Sequence, residues 1–149
     1  MPRRSAGVLL FRRTSGVVEV VLAHPGGPFW AKKDAGAWSI PKGEYEPDEP
    51  ALDAARREFA EELGMSVPDG TVIDLGEITQ KGGKIVTAFA VEADLDVSGA
   101  VSNTFEMAWP PRSGVLQSFP EVDRVEWFPL DVAREKILAA QQPFLDRLP

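Results

Sequence analysis

The sequence predicts an α/β fold in which helices pack on a mixed β-sheet. Three observations lead there. β-branched apolar runs separated by turn signals mark several strands. One stretch between them repeats apolar residues at spacings of three and four, the pattern of a helix with one buried face. The links between neighbouring strands are too short for crossover helices, so the sheet is at least partly antiparallel.

Ser5–Arg13 and Val17–Ala23, joined by Thr14-Ser15-Gly16, read as a hairpin. The Gly- and Pro-rich stretch from His24 to Ala37 reads as a loop. Trp38-Ser39-Ile40 reads as a short extended piece, and Pro41 starts a turn through Gly43. A helix is expected over Asp48–Leu63, with Asp48 as its cap, Pro50 in its first turn and Gly64 just past its end. Leu52, Ala55, Phe59 and Leu63 form its apolar face. Thr71–Gln80 and Lys84–Ala93 read as strands joined by Lys81-Gly82-Gly83. Residues 95–121 are ambiguous, part strand (Thr104–Trp109) and part functional loop. Val125–Phe128 reads as a final strand, and Asp131–Ala140 as a second helix capped by Asp131, with Val132, Ile137 and Leu138 as apolar contacts.

A chain of 149 residues, 44% apolar and 26% charged, fits one domain, 1–149, able to bury a core without staples. Cysteine is absent, which excludes disulfides, thiolate metal sites and a cysteine nucleophile, and suits a reducing cytoplasm. The net charge of −7 makes stable nucleic-acid binding or attraction to anionic membrane unexpected. The basic N-terminus, from Met1 to Arg13, has too short an apolar run for a targeting segment. No segment has the roughly 20 apolar residues of a membrane span.

The chemistry concentrates in Arg57-Glu58-Phe59-Ala60-Glu61-Glu62-Leu63-Gly64. At 100° per residue, Glu58, Glu61 and Glu62 fall within about 100° of one another on the helix surface, beside its apolar stripe. Like charges so close, near the negative end of a helix dipole, destabilise the helix. A divalent cation removes that penalty, and an all-carboxylate set suits Mg²⁺ or Mn²⁺ better than Zn²⁺. The alternative is a solvated Glu-rich surface paired with Arg56 and Arg57.

The upstream spacing decides between them. Gly43, five residues, Glu49, seven residues, then Arg57-Glu58-Phe59-Ala60-Glu61-Glu62-Leu63-Gly64-Met65 matches every defined position of the Nudix box, Gly-x5-Glu-x7-Arg-Glu-U-x-Glu-Glu-x-Gly-U with U apolar. The chain therefore resembles the Nudix hydrolase family. The resemblance implies an α/β/α sandwich around a mixed sheet, with a catalytic loop–helix–loop at residues 43–65. It implies Glu58, Glu61 and Glu62 as metal ligands and catalytic groups, Gly43 as a backbone-carbonyl ligand, and Glu49, Arg57 and Gly64 as structural members of the motif. The implied reaction is Mg²⁺-dependent hydrolysis of a diphosphate linkage by in-line attack of water, with Glu61 favoured as the base and Glu106 and Glu121 as outside candidates.

Lys42 is the preferred phosphate contact; Lys32, Lys33, Lys81, Lys84 and Arg112 are weaker ones. Phe29, Trp30 and Trp38 flank the loop before the box and are candidate platforms for a nucleotide base, as are Trp109 and Phe119. The run Trp38-Ser-Ile-Pro-Lys-Gly-Glu resembles the branch acting on diadenosine polyphosphates and inositol pyrophosphates, and also some nucleotide-sanitising members. The Tyr that often follows the box in the first branch is missing, since Tyr45 is the chain's one tyrosine. At the position of the Pro typical of ADP-ribose members stands Thr79-Gln80-Lys81-Gly82. A nucleoside polyphosphate, with dinucleoside polyphosphates first, is the expected substrate. The alternatives are an oxidised or ordinary nucleoside triphosphate, or a non-catalytic nucleotide-binding module. A Ser–His–Asp hydrolase is disfavoured, since His24 is the lone histidine and no Gly-x-Ser-x-Gly turn occurs. A homodimer is compatible with the aromatics of residues 105–128.

Overall fold

The computed structural model describes residues 3–149, so Met1 and Pro2 lie outside it. Strands β1 (Arg4–Thr14) and β2 (Val17–Pro25) form the expected hairpin, pairing Phe11 with Val20 through Thr14 with Val17. Ser15 and Gly16, both at positive φ, make its turn. A third strand, β3 (Lys42–Glu44), pairs antiparallel with the other end of the same β1 edge, Gly7 opposite Lys42. The expected turn at Pro41–Gly43 is therefore the entry to a strand, which β1's free edge recruits.

Helix α1 (Ala51–Leu63) starts three residues later than expected. Pro50, at φ −59° and ψ 139°, is the residue before its first turn, and no side chain caps it, so Asp48 is not the cap. Pro50 itself is extended in ψ and gives the helix only its carbonyl, which accepts the Ala54 N–H at 3.0 Å, so the helix begins at Ala51. Its end agrees with expectation: Gly64 takes the left-handed conformation at φ 70° and donates its N–H to the Ala60 carbonyl.

Strands β4 (Val72–Thr79) and β5 (Ile85–Glu92) follow, then β6 (Thr104–Ala108) and β7 (Leu116–Pro120), which make a separate two-stranded sheet, then β8 (Val122–Pro129). Strand β7 resolves the ambiguous stretch; its Gly- and Pro-rich approach had masked it. The expected second helix is shorter: α2 (Leu130–Lys136) begins after Pro129 without a side-chain cap, and Asp131 instead accepts a bond from the Val132 N–H. It stops because Ile137 turns extended, at φ −74° and ψ 149°, to bridge Trp38. A 3-10 turn (Ala139–Gln141) and α3 (Gln142–Asp146) complete the chain.

The main sheet runs β4-β5-β1-β2-β8, with β3 beside β1. β1 and β5 are parallel and the other pairs antiparallel, so the sheet is mixed as expected. Alternation along β1 sends Leu9 and Phe11 to one face and Ala6, Val8 and Leu10 to the other. The first face is covered by Ala133, Ile137, Phe144 and Leu145 from the C-terminal helices, the second by Ala54, Ala55, Phe59 and Leu63 of α1. This is a helix–sheet–helix sandwich. No helix among the described residues is long and apolar enough to cross a membrane.

Candidate active site

β1 pairs with β2 at one end and β3 at the other, so the two partner strands part company and leave a crevice in the sheet. The C-terminal half of α1 lies over it. Phe59 and Leu63 anchor the helix in the core, which lays the neighbouring carboxylates of Glu58 and Glu62 against β3. The three box glutamates meet different surroundings. Glu58 keeps 13% of its side chain exposed, and Glu61 keeps 42%. Glu62 is partly buried and accepts a 3.2 Å hydrogen bond from the Lys42 N–H.

Burial disfavours the charged form of both inner carboxyls. It pushes Glu62 up to about 8, against the lowering effect of the Lys42 N–H, and it raises Glu58, where Arg57 opposes it. Glu121, the residue between β7 and β8, adds like-charge repulsion to both. The Lys42 ammonium is lowered, first by burial and then by the neighbouring Lys84.

Gly43 owes its identity to this packing. A side-chain carbon there would overlap the Glu58 carboxylate. Only a residue without a side chain lets the helix carboxylate come this close to β3. Arg57 gathers the motif: it binds Glu49 in bidentate fashion at 3.0 and 2.9 Å, and its other amino group reaches Glu58 at 2.7 Å and Glu61 at 3.3 Å. Those bonds, with Glu49 first, raise the guanidinium further and lower the Glu49 carboxyl.

Two hollows meet at Glu62. One, of about 200 Å³, has an apolar floor of Ala23, Ala37, Ile40, Val122 and Leu138, a Trp30 wall, and Lys42, Glu62 and Glu121 at its polar end. The other, of about 300 Å³, is lined by Glu62, Val97, Ala100 and Val122 with polar Ser98, Ser102, Asp123, Arg124 and Glu126.

Of the aromatic candidates, Trp30 lines the first hollow. Trp38 does not present a face to it: the ring is 1% exposed, packs edge-on against Phe128 at 4.9 Å and bonds Asp34 through Nε1. Trp38 is a core residue, because the bridge to Ile137 turns its side chain into the sheet–helix interface. Phe29 and Trp109 pack on each other, joining the loop before the box to the β6–β7 hairpin. Phe119 packs on Phe105 within that hairpin. Glu106 is exposed on β6 and lines neither hollow, whereas Glu121 lines the first. Lys33 stands over the Trp30 ring at 4.9 Å; Lys32, Lys81 and Arg112 are exposed.

Gln141 was not foreseen. It is fully buried, accepts the Ile40 N–H at 3.0 Å and donates to Ser39 Oγ and Gln80 Oε1, fixing the segment that leads into Lys42 and Gly43. A Gln-Gln-Pro stretch near a chain end gives no local sign of this.

The donor set suits a hard divalent cation. The available groups are carboxylate and carbonyl oxygens, two of the carboxyls are partly buried and raised by that burial, and the one histidine is engaged elsewhere. Among the described residues no three His, Asp or Glu side chains are arranged to hold a metal as they stand; Arg57 draws Glu58 and Glu61 together instead.

No curated protein sequence matches this chain. Solved structures with the same fold include an Ap4A hydrolase binary complex from C. elegans, 22% identical over 97% of this chain and 93% of that one, with a TM-score of 0.61. The NUDIX domain of Shewanella oneidensis NrtR, complexed with ADP ribose, is 16% identical over 99% and 86%, TM-score 0.64. A mutT/nudix family protein from Listeria innocua is 19% identical over 99% and 92%, TM-score 0.63. The family model for the NUDIX domain matches residues 1–148. With the box helix, its inward glutamates and a match along nearly the whole chain, this protein belongs to the Nudix hydrolase family.

Proposed function

We propose that the protein is a cytoplasmic, divalent-metal-dependent pyrophosphohydrolase that cleaves a diphosphate linkage in a nucleoside polyphosphate, with dinucleoside polyphosphates such as diadenosine tetraphosphate favoured. One observation carries the substrate reading: Glu62 stands in the wall common to two hollows. A diphosphate at that carboxylate has room for an organic group on either side. The apolar hollow with its Trp30 wall suits a planar base; the hydroxyl- and carboxylate-lined hollow suits a sugar.

Glu58, Glu61, Glu62 and the Gly43 carbonyl are the groups that would hold Mg²⁺ or Mn²⁺, which would neutralise phosphate charge and acidify the attacking water. Lys42 presents its ammonium to a phosphate oxygen. Glu61, the outermost box carboxylate, accepts the proton of the attacking water, and Glu121 lies across the crevice as the second carboxylate able to do so. Arg57 orients Glu58 and Glu61, and the Lys42 N–H orients Glu62.

The test is a panel of diadenosine tetraphosphate, ordinary and oxidised nucleoside triphosphates, ADP-ribose and an inositol pyrophosphate, incubated with Mg²⁺ and resolved by anion exchange. The expected result is metal-dependent cleavage of diadenosine tetraphosphate, lost in Glu62→Gln. Preference for a triphosphate would overturn the substrate reading. No turnover by folded protein with either metal would overturn the enzymatic one in favour of a binding module.

A further inference from the structure

His24 ends β2 and is fully buried. Its Nδ1 lies 2.7 Å from Asp123 Oδ1, and its Nε2 lies 2.6 Å from the Lys33 carbonyl oxygen. A carbonyl oxygen only accepts, so Nε2 bears a proton. The Asp123 carboxylate, a third exposed, is the acceptor facing Nδ1, and it lies 4.0 Å from the Arg124 guanidinium. Neutral imidazole has a single N–H, which satisfies one of these two acceptors and sets a bare nitrogen against the other.

The bond to Lys33 also has an unusual structural weight. Between Gly26, which donates to the Glu121 carbonyl, and Gly36, which donates to the Glu135 carbonyl, the loop's main chain otherwise bonds only within itself. Those local bonds are Trp30 to Gly27, Lys33 to Trp30 and Ala37 to Asp34. Among the described residues, His24 is therefore the one tie from the main chain of 27–35 to another element. That loop carries Trp30, and Asp123 lies two residues beyond Glu121, so the imidazole joins two walls of the apolar hollow.

We propose that His24 is a positioning residue, a doubly protonated imidazolium that straps the 27–35 loop to the start of β8 and holds Trp30 and Glu121 around one cavity. Other groups complete its surroundings. Trp38 meets the imidazole edge-on at 5.1 Å, and the Arg124 guanidinium lies 5.1 Å from the Trp38 ring centre. Asp34 binds the Trp38 Nε1–H and the Lys136 ammonium. Lys33 offers His24 its carbonyl while its ammonium stays on Trp30. Any effect on hydrolysis rests on the function proposed above; the protonation state and the hold on the loop do not.

The chain has one histidine, so its ring gives unambiguous ¹⁵N signals. Metal-free wild-type protein at neutral pH is expected to show two protonated ring nitrogens with slowly exchanging N–H protons. Amide exchange across 27–35 should accelerate about tenfold in both His24→Phe and His24→Gln, the loss of one charge-assisted bond, while α1 amides keep their rates. With the substrate found in the panel, KM should rise and kcat stay nearly constant. One bare ring nitrogen in the wild type overturns the proposal. So does unchanged loop exchange in a folded variant. If neither variant folds, the wild-type spectrum alone decides.

Discussion

The Lys42 N–H donates to the Glu62 carboxylate across 3.2 Å, joining the first residue of β3 to the last turn of α1. Through this bond the sheet edge sets the direction of the most strongly perturbed carboxyl in the site. Glu62 is consequently both a liability to folding and the group best placed for a cation.

The liability has a sign that can be measured. Burial raises the folded carboxyl to about 8 from an ordinary 4.5, so its contribution to stability is fully present below the ordinary value and is lost as pH rises from there through about 8. In chelator, Glu62→Gln is expected to match the wild type near pH 5 and to exceed it near pH 9, by on the order of 2 kcal/mol. Thermal denaturation of both proteins at the two pH values tests this; equal melting differences at both would refute it. Mg²⁺ should restore the wild type at high pH and leave the variant unaffected.

Gly43→Ala is expected to fold normally and lose activity. The added methyl meets the end of a flexible carboxylate, which turns aside at little cost to the fold. Displacing Glu58 by about an ångström should lower turnover on the order of 100-fold. A melting temperature close to wild type with a collapsed kcat is the expected pair of readings, and unimpaired kcat is the outcome against it.

Arg57→Lys keeps a positive charge but not the fork that binds Glu49 in bidentate fashion while reaching Glu58 and Glu61. Metal affinity is expected to fall on the order of 10-fold or more, as for other groups that orient ligating side chains. Titration calorimetry with Mn²⁺ measures it. Affinity equal to wild type would mean that Arg57 does not orient those carboxylates.

The two tryptophans of the pre-box segment, Trp30 and Trp38, should separate cleanly. Trp38→Ala empties a fully packed core position and is expected to cost about 3–5 kcal/mol of stability. Trp30, 37% exposed, should tolerate alanine without a change in melting, while KM for the preferred nucleotide rises. A destabilised Trp30→Ala with unchanged KM would reassign Trp30 to the framework.

The sequence by itself determined what depends on neighbours along the chain. The first hairpin, the existence and end of α1, the αL glycine at 64 and the grouping of Glu58, Glu61 and Glu62 follow from turn chemistry and a 100° helical step. The mixed sheet followed from the shortness of the strand connections. Two departures have a distant partner as their cause: β1's open edge converts Lys42–Glu44 from turn to strand, and the Trp38 bridge ends α2 at Lys136, whereas the late start of α1 is set locally at Pro50. The tertiary structure alone decided which glutamates turn inward, that Trp38 is core and Trp30 is wall, and that Glu121, rather than Glu106, faces the box. It alone placed Gln141 against Ile40, 101 residues away, and Asp123 against His24, 99 residues away. Local periodicity orients a side chain about its own axis, but only packing brings residues so far apart within hydrogen-bonding distance.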